Sequence, residues 1–298
     1  MSMIKNKMST AYRVAQEMIK DKLKDVDEGM AAEFEELGQS EVIVSIGVHD
    51  YIEQVFDGIG LKHNLINPQQ FEKIDLDPDK IIFINCPGSV SSKGLRNLVT
   101  FVQKGGFLFT TDWALKHVIE PGFPGYIKYN NRPTGDEVVR VEILAEEDPF
   151  LQSLIGPNDD PQWWLEGSSY PIEILKKNKV DVLVKSKELK NRYGQAPVFI
   201  TFDYGEGRIY HMISHFYLQR AETRTLRQQS KGTDYLFEKG INPALKQKYT
   251  NMNMDAQCLG EIEAAYSSSA MLKKVIWDKR KSKEIDEKEN NNGQSFAE

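Results

Sequence analysis

The sequence predicts an α/β protein with a flavodoxin-like, doubly wound, mostly parallel sheet. Three observations support this fold. Short apolar runs rich in β-branched residues stand at 41–50, 62–68, 79–86 and 106–111. Segments with the apolar spacing of an amphipathic helix separate these runs, and one such segment ends in the pair Gly105 and Gly106. Strands that alternate with helices in this way form parallel sheets through right-handed crossovers.

The remaining elements follow from local pattern. Residues 79–86 are almost continuously apolar, which is typical of a strand that helices cover on both faces. Further strands are predicted at 137–144, 161–175 and 180–186. Residues 198–214 predict two strands joined by a tight turn at 204–207, because Gly205 and Gly207 permit the positive φ that hairpin turns need. The parallel sheet therefore gains an antiparallel hairpin extension.

The chain divides into four predicted parts. Residues 1–40 carry an N-terminal amphipathic helix, residues 41–218 form the α/β domain, and residues 219–280 form a C-terminal helical region. Residues 281–298 are a polar tail that we expect to be disordered. The flanking helices have apolar stripes that need a covering surface. We expect that surface to be either the domain itself or a partner, which is another protein or a second copy of this chain.

Composition excludes several classes of function. The 298 residues carry 38 Lys and Arg against 44 Asp and Glu, a net charge of −6, so no overall positive field gathers nucleic acid or an anionic membrane surface. The longest apolar runs are far shorter than a membrane span. Cys86 and Cys258 are the only cysteines, which excludes a disulfide framework and a zinc ribbon. We expect a cytoplasmic protein with no nucleic-acid or membrane partner, no metal and no cofactor.

The predicted fold points to a set of candidate ligand-binding residues. In an open α/β sheet, ligands bind beyond the carboxyl ends of the strands, where the strand order reverses. The residues at these strand ends are His49, Asp50, Cys86, Gly88, Ser89, Asp112 and Trp113, with His117 one turn into the following helix. His215 follows the last strand and can face the same crevice. The catalytic candidates are therefore Asp112, Cys86 and His215.

Each candidate also has a purely structural interpretation. Cys86 is either a nucleophile activated by His49 or His117, or a buried and inert thiol. Asp112 is either a general base or the cap of the helix that follows it. The serines at 91 and 92 are placed to cap the helix near residue 93. The loop before them lacks the G-x-x-x-x-G-K-[ST] pattern of a phosphate loop.

The run IIFINCPGSVSSKGLRNLVTFVQKGGFLFTTDWA, with the later PVFITFDYGEGRIYHMISH, resembles the class I glutamine amidotransferase-like superfamily. Within it, the likeness is to ThuA-like and β-galactosidase trimerisation-type domains, and it covers residues 41–218. The resemblance implies the same fold. It also implies that the family's nucleophile elbow falls at or beside Asp112 and its catalytic histidine near His215.

The sequence departs from that family at the elbow. No cysteine stands at Asp112, the glycines that permit the strained turn are missing, and no acidic residue follows His215. Members without the triad often serve as binding or assembly modules. We therefore expect a non-catalytic module, a pseudoenzyme that binds a partner protein or small ligand as a subunit of a larger assembly.

Two other functions are compatible with the sequence. The first is a hydrolase or lyase on a small polar, carbohydrate-like substrate, with Asp112 as base and His49, His117 or His215 as acid. The second is a flavin or phospho-acceptor domain. It is the weaker of the two, because the first strand is followed by a single acidic residue, Asp50, where a phospho-acceptor domain needs an acidic cluster.

Overall fold

The structure, a computed structural model, describes residues 8–26, 29, 32, 41–59 and 61–294. The strands are β1 (Val42–Ser45), β2 (Asn64–Ile66), β3 (Ile81–Ile84), β4 (Phe107–Thr111), β5 (Ile127–Tyr129), β6 (Glu137–Arg140), β7 (Glu142–Ile143), β8 (Gln162–Leu165), β9 (Ile172–Ile174), β10 (Asp181–Lys185), β11 (Pro197–Tyr204) and β12 (Gly207–Met212). The helices are α1 (Ser9–Val26), α2 (Ile52–Ile59), α3 (Ser92–Gln103), α4 (Pro149–Leu154), α5 (Lys187–Tyr193), α6 (Leu226–Gln229), α7 (Asp234–Glu238), α8 (Lys246–Asn251) and α9 (Leu259–Gln294). A π-helical turn, Leu115–Ile119, continues into the short segment Glu120–Gly122.

An eight-stranded sheet forms the centre of the domain, in the order β2-β1-β3-β4-β12-β11-β10-β7. The strands from β2 to β12 pair in parallel. From β12 outwards the pairing is antiparallel. The predicted flavodoxin-like sheet with its antiparallel extension is confirmed. The strand predicted at 137–144 divides in two, because β6 pairs with β8 in a separate sheet whereas β7 pairs with β10.

The hairpin between β11 and β12 forms at the predicted glycines. Gly205 has φ of 64°, a conformation that glycine adopts without strain. A Cβ atom at Gly205 would lie 2.6 Å from the carbonyl oxygen of Gln103, and one at Gly207 would lie 2.2 Å from that of Val102. The turn therefore packs directly against the end of α3, which only glycine permits at both positions.

The core lies on both faces of the sheet. Every residue of β1, β3 and β4 is buried, as the near-continuous apolar runs predict. Aromatic rings fill much of one layer: the Phe109 ring lies 5.4 Å from that of Phe83 and 4.8 Å from that of Phe216, measured between centroids. The long segment between β4 and β11 supplies β7 and β10 to the outer part of the sheet. Its residues Ser169 and Tyr170 also reach the carboxyl end of β4, where they donate hydrogen bonds to Asp112.

The helices α1 and α9 pack against each other and cover one side of the domain. The apolar stripe of α1 is buried within the chain, including Met18 and Ile19. The Tyr12 hydroxyl lies 3.1 Å from Ser268 Oγ of α9 and accepts a hydrogen bond from the Leu218 backbone N–H. The described part of the predicted N-terminal helix therefore packs on its own chain, while its further contact with a partner stays a prediction.

The C-terminal helix extends beyond the range that the sequence predicts. Helix α9 continues to Gln294, past residue 280 where the predicted C-terminal helical region ends. Residues 1–7, 27, 28, 30, 31, 33–40 and 295–298 of the predicted terminal segments lie outside the described residues. No helix in the described part of the chain is long and apolar enough to cross a membrane.

Ile19→Ala is expected to lower the free energy of unfolding by about 2 to 5 kcal/mol, because it opens a cavity beneath α1. Val26→Ala is the matched control, since Val26 ends the same helix and is 51% exposed. We expect the control to change stability by less than about 0.5 kcal/mol. Urea denaturation followed by circular dichroism measures both variants. Equal stability of the two would mean that α1 does not pack on its own chain in solution.

Candidate functional site

Three of the predicted residues meet above the middle of the parallel sheet. Cys86 follows β3, Asp112 follows β4 and His215 follows β12, and these strands are neighbours in the sheet. The Cys86 sulfur, a carboxylate oxygen of Asp112 and a ring nitrogen of His215 all lie within 4.8 Å of one another. All three side chains are buried. The sheet thus brings together residues that are far apart in sequence.

Asp112 occupies a strained turn between β4 and the π-helical segment. Its φ is 43°, in the left-handed region, which aspartate tolerates better than most residues. The elbow-like turn therefore forms without the glycines whose absence argued against it. The side chain does not cap the helix: Oδ1 accepts the Tyr170 N–H at 2.8 Å and Oδ2 accepts the Ser169 hydroxyl at 3.0 Å.

The His215 ring lies between two carboxylates. Its Nε2 is 3.4 Å from Asp112 Oδ2, and its Nδ1 is 3.1 Å from Glu166 Oε2. Burial lowers the pKa of His215, but the nearby side chains of Asp112, Cys86 and Glu166 and the charge of Asp50 outweigh burial and hold that pKa well above its ordinary value. The neighbouring carboxylates therefore favour the protonated form of the ring.

Glu166 is a site residue that sequence reasoning missed. It follows β8, an element of the inserted segment, so the strand-end rule for the parallel sheet does not select it. The acidic partner that the sequence lacks directly after His215 thus comes from another part of the chain. The Glu166 side chain is 35% exposed, and its Oε1 lies 3.7 Å from Nδ1 of His49, which is 39% exposed. These two residues connect the buried cluster to solvent.

Asp50 and Cys86 complete the buried part of the cluster. Burial raises the pKa of the Asp50 carboxyl, against the charge of His215 and hydrogen bonds from its surroundings. Burial also raises the pKa of the Cys86 thiol, which disfavours the thiolate that a cysteine nucleophile needs. The base predicted for Cys86 was His49 or His117, whereas the imidazole beside it belongs to His215.

The other predicted residues have different surroundings. Trp113 lies at the rim, where its ring stacks on that of Tyr170 at 5.6 Å and lies 5.4 Å from the His49 ring. His117 is exposed, and its Nδ1 lies 2.8 Å from the Pro87 carbonyl oxygen. A Cβ atom at Gly88 would lie 2.8 Å from Ala114 Cβ, so Gly88 permits close packing.

The loop after Cys86 has a structural role at its far end. Ser89 is exposed, and the Ser91 hydroxyl accepts a hydrogen bond from the Gly94 N–H at 3.1 Å. Ser91 therefore caps α3, as the sequence predicts. Of the predicted ligand-binding set, His49, Asp50, Cys86, Asp112 and Trp113 surround the His215 ring or its rim.

The geometry provides alternating acids and bases. From the interior outwards, the order is Asp112, His215, Glu166 and His49, with consecutive polar atoms 3.4, 3.1 and 3.7 Å apart. Carboxylate and imidazole groups at such distances can pass protons between a substrate and a buried charge pair. The exposed members are the groups that a small molecule can reach.

Comparison with known proteins assigns no activity to this site. No protein-family profile matches the chain, and no curated protein matches it. Among solved structures, a putative ThuA-like protein from Bacteroides uniformis has a TM-score of 0.43 at 12% identity, over 60% of this chain and 83% of that one. A β-galactosidase from Bacillus circulans has a TM-score of 0.39 at 14% identity, over 58% of this chain and 28% of that one.

A cytoplasmic protein from Salmonella typhimurium has a TM-score of 0.41 at 9% identity, over 73% of this chain and 99% of that one. The similar structures thus include a ThuA-like protein and a β-galactosidase. The chain spans less than two thirds of the β-galactosidase. At these TM-scores the likeness carries no information about activity or site residues.

A second buried histidine, His211 of β12, is neutral. Its Nδ1 lies 2.8 Å from Thr110 Oγ1, and burial lowers its pKa to about 3. An unfolded histidine has a pKa of about 6.5. Between pH 3 and pH 6.5 the unfolded state therefore binds a proton at His211 that the folded state does not bind. The contribution of neutral His211 to the free energy of unfolding is therefore fully present above pH 6.5 and is lost as the pH drops towards 3.

His211→Gln is expected to reduce the loss of stability on acidification. Between pH 6.5 and 4.5 the wild-type unfolding free energy should fall more steeply than that of the variant, by up to about 1.4 kcal/mol per pH unit. Urea titrations at several pH values measure both slopes. A His211→Gln slope equal to that of wild type would contradict the buried neutral state.

Proposed function

We propose that this protein is an enzyme of the hydrolase or lyase type that acts on a small polar substrate at the Asp112, His215, Glu166 and His49 cluster. The observation that carries the proposal is a row of carboxylates and imidazoles from buried Asp112 to half-buried His49, with consecutive polar atoms 3.1 to 3.7 Å apart. A structural ion pair needs two such groups, whereas four in a row that end at solvent are suited to proton transfer.

The exposed pair performs the proton transfers in this proposal. Glu166 takes a proton from the substrate or from an attacking water, and His49 donates one to the leaving group. The positive charge of His215 stabilises the Glu166 carboxylate, and Asp112 in turn stabilises that charge. The buried pair thus acts on the substrate through Glu166, so Asp112 and His215 are positioning residues.

The rim indicates the class of substrate. Trp113 presents an indole ring beside the His49 imidazole, and its ring stack with Tyr170 continues to Tyr129 at 4.0 Å. An aromatic wall next to carboxylate and imidazole groups suits a ligand with both an apolar face and hydroxyl groups. A carbohydrate or a similar polyol fits this description.

Glu166→Gln is expected to lower kcat by about 10²- to 10⁴-fold, because it removes the proton-transfer group and keeps the shape of the side chain. The control is Glu173→Gln, since Glu173 is 36% exposed and pairs with Lys128 on β5. Turnover is measured on 4-nitrophenyl glycosides for hydrolysis. It is also measured on free sugars in D₂O, where proton NMR detects elimination or exchange of a C–H proton. Equal activity of the two variants would contradict the role of Glu166.

The alternative is the non-catalytic module that binds a small ligand or a protein. The observation in its favour is the closure of the buried pair, since the Asp112 and His215 side chains are each 2% exposed. This function predicts that wild type binds sugars of the same panel, measured by calorimetry, without converting any of them. Glu166→Gln would then change affinity alone, and the enzymatic proposal would be wrong.

A further inference from the structure

We propose that Cys86, Asp112 and His215 bind a divalent transition-metal ion, with zinc as the ion that fits this set of donors. The inference deepens the proposed function and rests on it for any catalytic use of the metal, but the site itself is argued from geometry. The sequence analysis predicts no metal here, because the three residues are far apart in the chain and have no ligand spacing that a motif would reveal.

The three donor atoms are close enough to share one ion. One sulfur, one carboxylate oxygen and one ring nitrogen lie within 4.8 Å of one another. Zinc bonds of about 2.0 to 2.3 Å in a tetrahedron place neighbouring ligand atoms roughly 3.3 to 3.8 Å apart. The distance of 3.4 Å between Asp112 Oδ2 and His215 Nε2 already lies in this range.

Neighbouring strands and hydrogen bonds hold the three proposed ligands in place. Their Cα atoms follow β3, β4 and β12, which are adjacent and hydrogen-bonded strands. Asp112 is held by the Tyr170 N–H and the Ser169 hydroxyl. Glu166 Oε2 lies 3.1 Å from the Nδ1 of His215. An outer carboxylate at this position orients a metal-binding histidine through the ring nitrogen that does not bind the metal.

The cluster also contains buried polar atoms that lack hydrogen-bond partners. Within the described part of the chain, neither ring nitrogen of His215 forms a hydrogen bond of normal geometry, and Asp50 Oδ2 has no hydrogen-bond partner although it is buried. The carboxylates of Asp50, Asp112 and Glu166 surround the single imidazole of His215, with His49 beyond Glu166 at the rim. A metal ion bound at Nε2 of His215 gives this buried nitrogen a partner.

The chemical character of the donors selects the metal. Magnesium and calcium prefer sites made of oxygen atoms, whereas a thiolate, an imidazole and a carboxylate together suit zinc. Binding requires loss of the Cys86 proton, so it is coupled to proton release. Three protein ligands leave one tetrahedral position for water, as in catalytic zinc sites. Glu166 and His49, which lie outside the ligand set, remain available for proton transfer.

The test uses the full-length chain stripped with a chelator and then titrated with CoCl₂, which reports on its ligands through its absorption spectrum. We expect one Co²⁺ per chain, tetrahedral visible bands and a thiolate-to-cobalt band in the near ultraviolet. Cys258→Ser is the matched control and should keep this band, whereas Cys86→Ser should lose it. ZnCl₂ should displace the cobalt with a stoichiometry of one, measured by mass spectrometry of the metal content.

Two further variants locate the site. Asp112→Asn is expected to weaken Zn²⁺ binding by more than about 100-fold, and Glu166→Gln by about 10- to 100-fold, as for the outer partner of a histidine ligand. The band in Cys258→Ser identifies Cys86 even if Cys86→Ser does not fold. The proposal is overturned if wild type binds less than a tenth of an equivalent, or if the thiolate band disappears in Cys258→Ser.

The outcomes separate this inference from the proposed function. Turnover that depends on Glu166, together with less than a tenth of an equivalent of metal bound on titration, would leave the proposed function intact and overturn the metal site. Stoichiometric binding through Cys86 without turnover on any sugar would establish the metal site and reject the enzymatic proposal. Rapid alkylation of Cys86 by iodoacetamide, unchanged by Zn²⁺, would also overturn the metal site.

Discussion

The pairing of β4 with β3 on one side and β12 on the other is the constraint on which the site depends. These three parallel strands end together, with Thr111 opposite Met212 and Phe109 opposite Phe83. Because the strands are buried and fully hydrogen-bonded, a shift of register would expose the core and break the ladder. The residues that follow them, Cys86, Asp112 and His215, therefore meet without any local motif that brings them together.

The electrostatics of the cluster follow from this enforced proximity. Burial raises the pKa of the carboxyl groups of Asp50 and Asp112, and one imidazolium partly offsets that cost. A fold that keeps several acidic groups around a single buried histidine gives up stability at this point. Functional sites are where such costs are usually found. Proton transfer and metal binding are the two functions that we propose for this arrangement of charged groups.

The segment between β4 and β11 adds a solvent-accessible side chain, Glu166, to the buried cluster at the strand ends. It brings Glu166 within 3.1 Å of His215 and supplies the two hydrogen bonds that hold Asp112. The helices α1 and α9 cover a different side of the sheet, and the Tyr12 hydroxyl ties α1 to both Ser268 and Leu218. The amphipathic stripe of α1, which from sequence alone suited a partner as well as the domain, is thus largely used within the chain.

The sequence pattern predicted the alternation of strands and helices in the parallel core, the glycine hairpin and a serine cap at 91 or 92, because each depends on periodicity or on the preferences of a few adjacent residues. It also selected Cys86, Asp112 and His215, since strand ends can be located from the pattern. The tertiary structure was needed to show that Glu166 completes the cluster and that Asp112 adopts a left-handed turn without glycine. These features arise from contacts between segments distant in sequence, whose energies outweigh local preferences and leave no periodic signal in the chain.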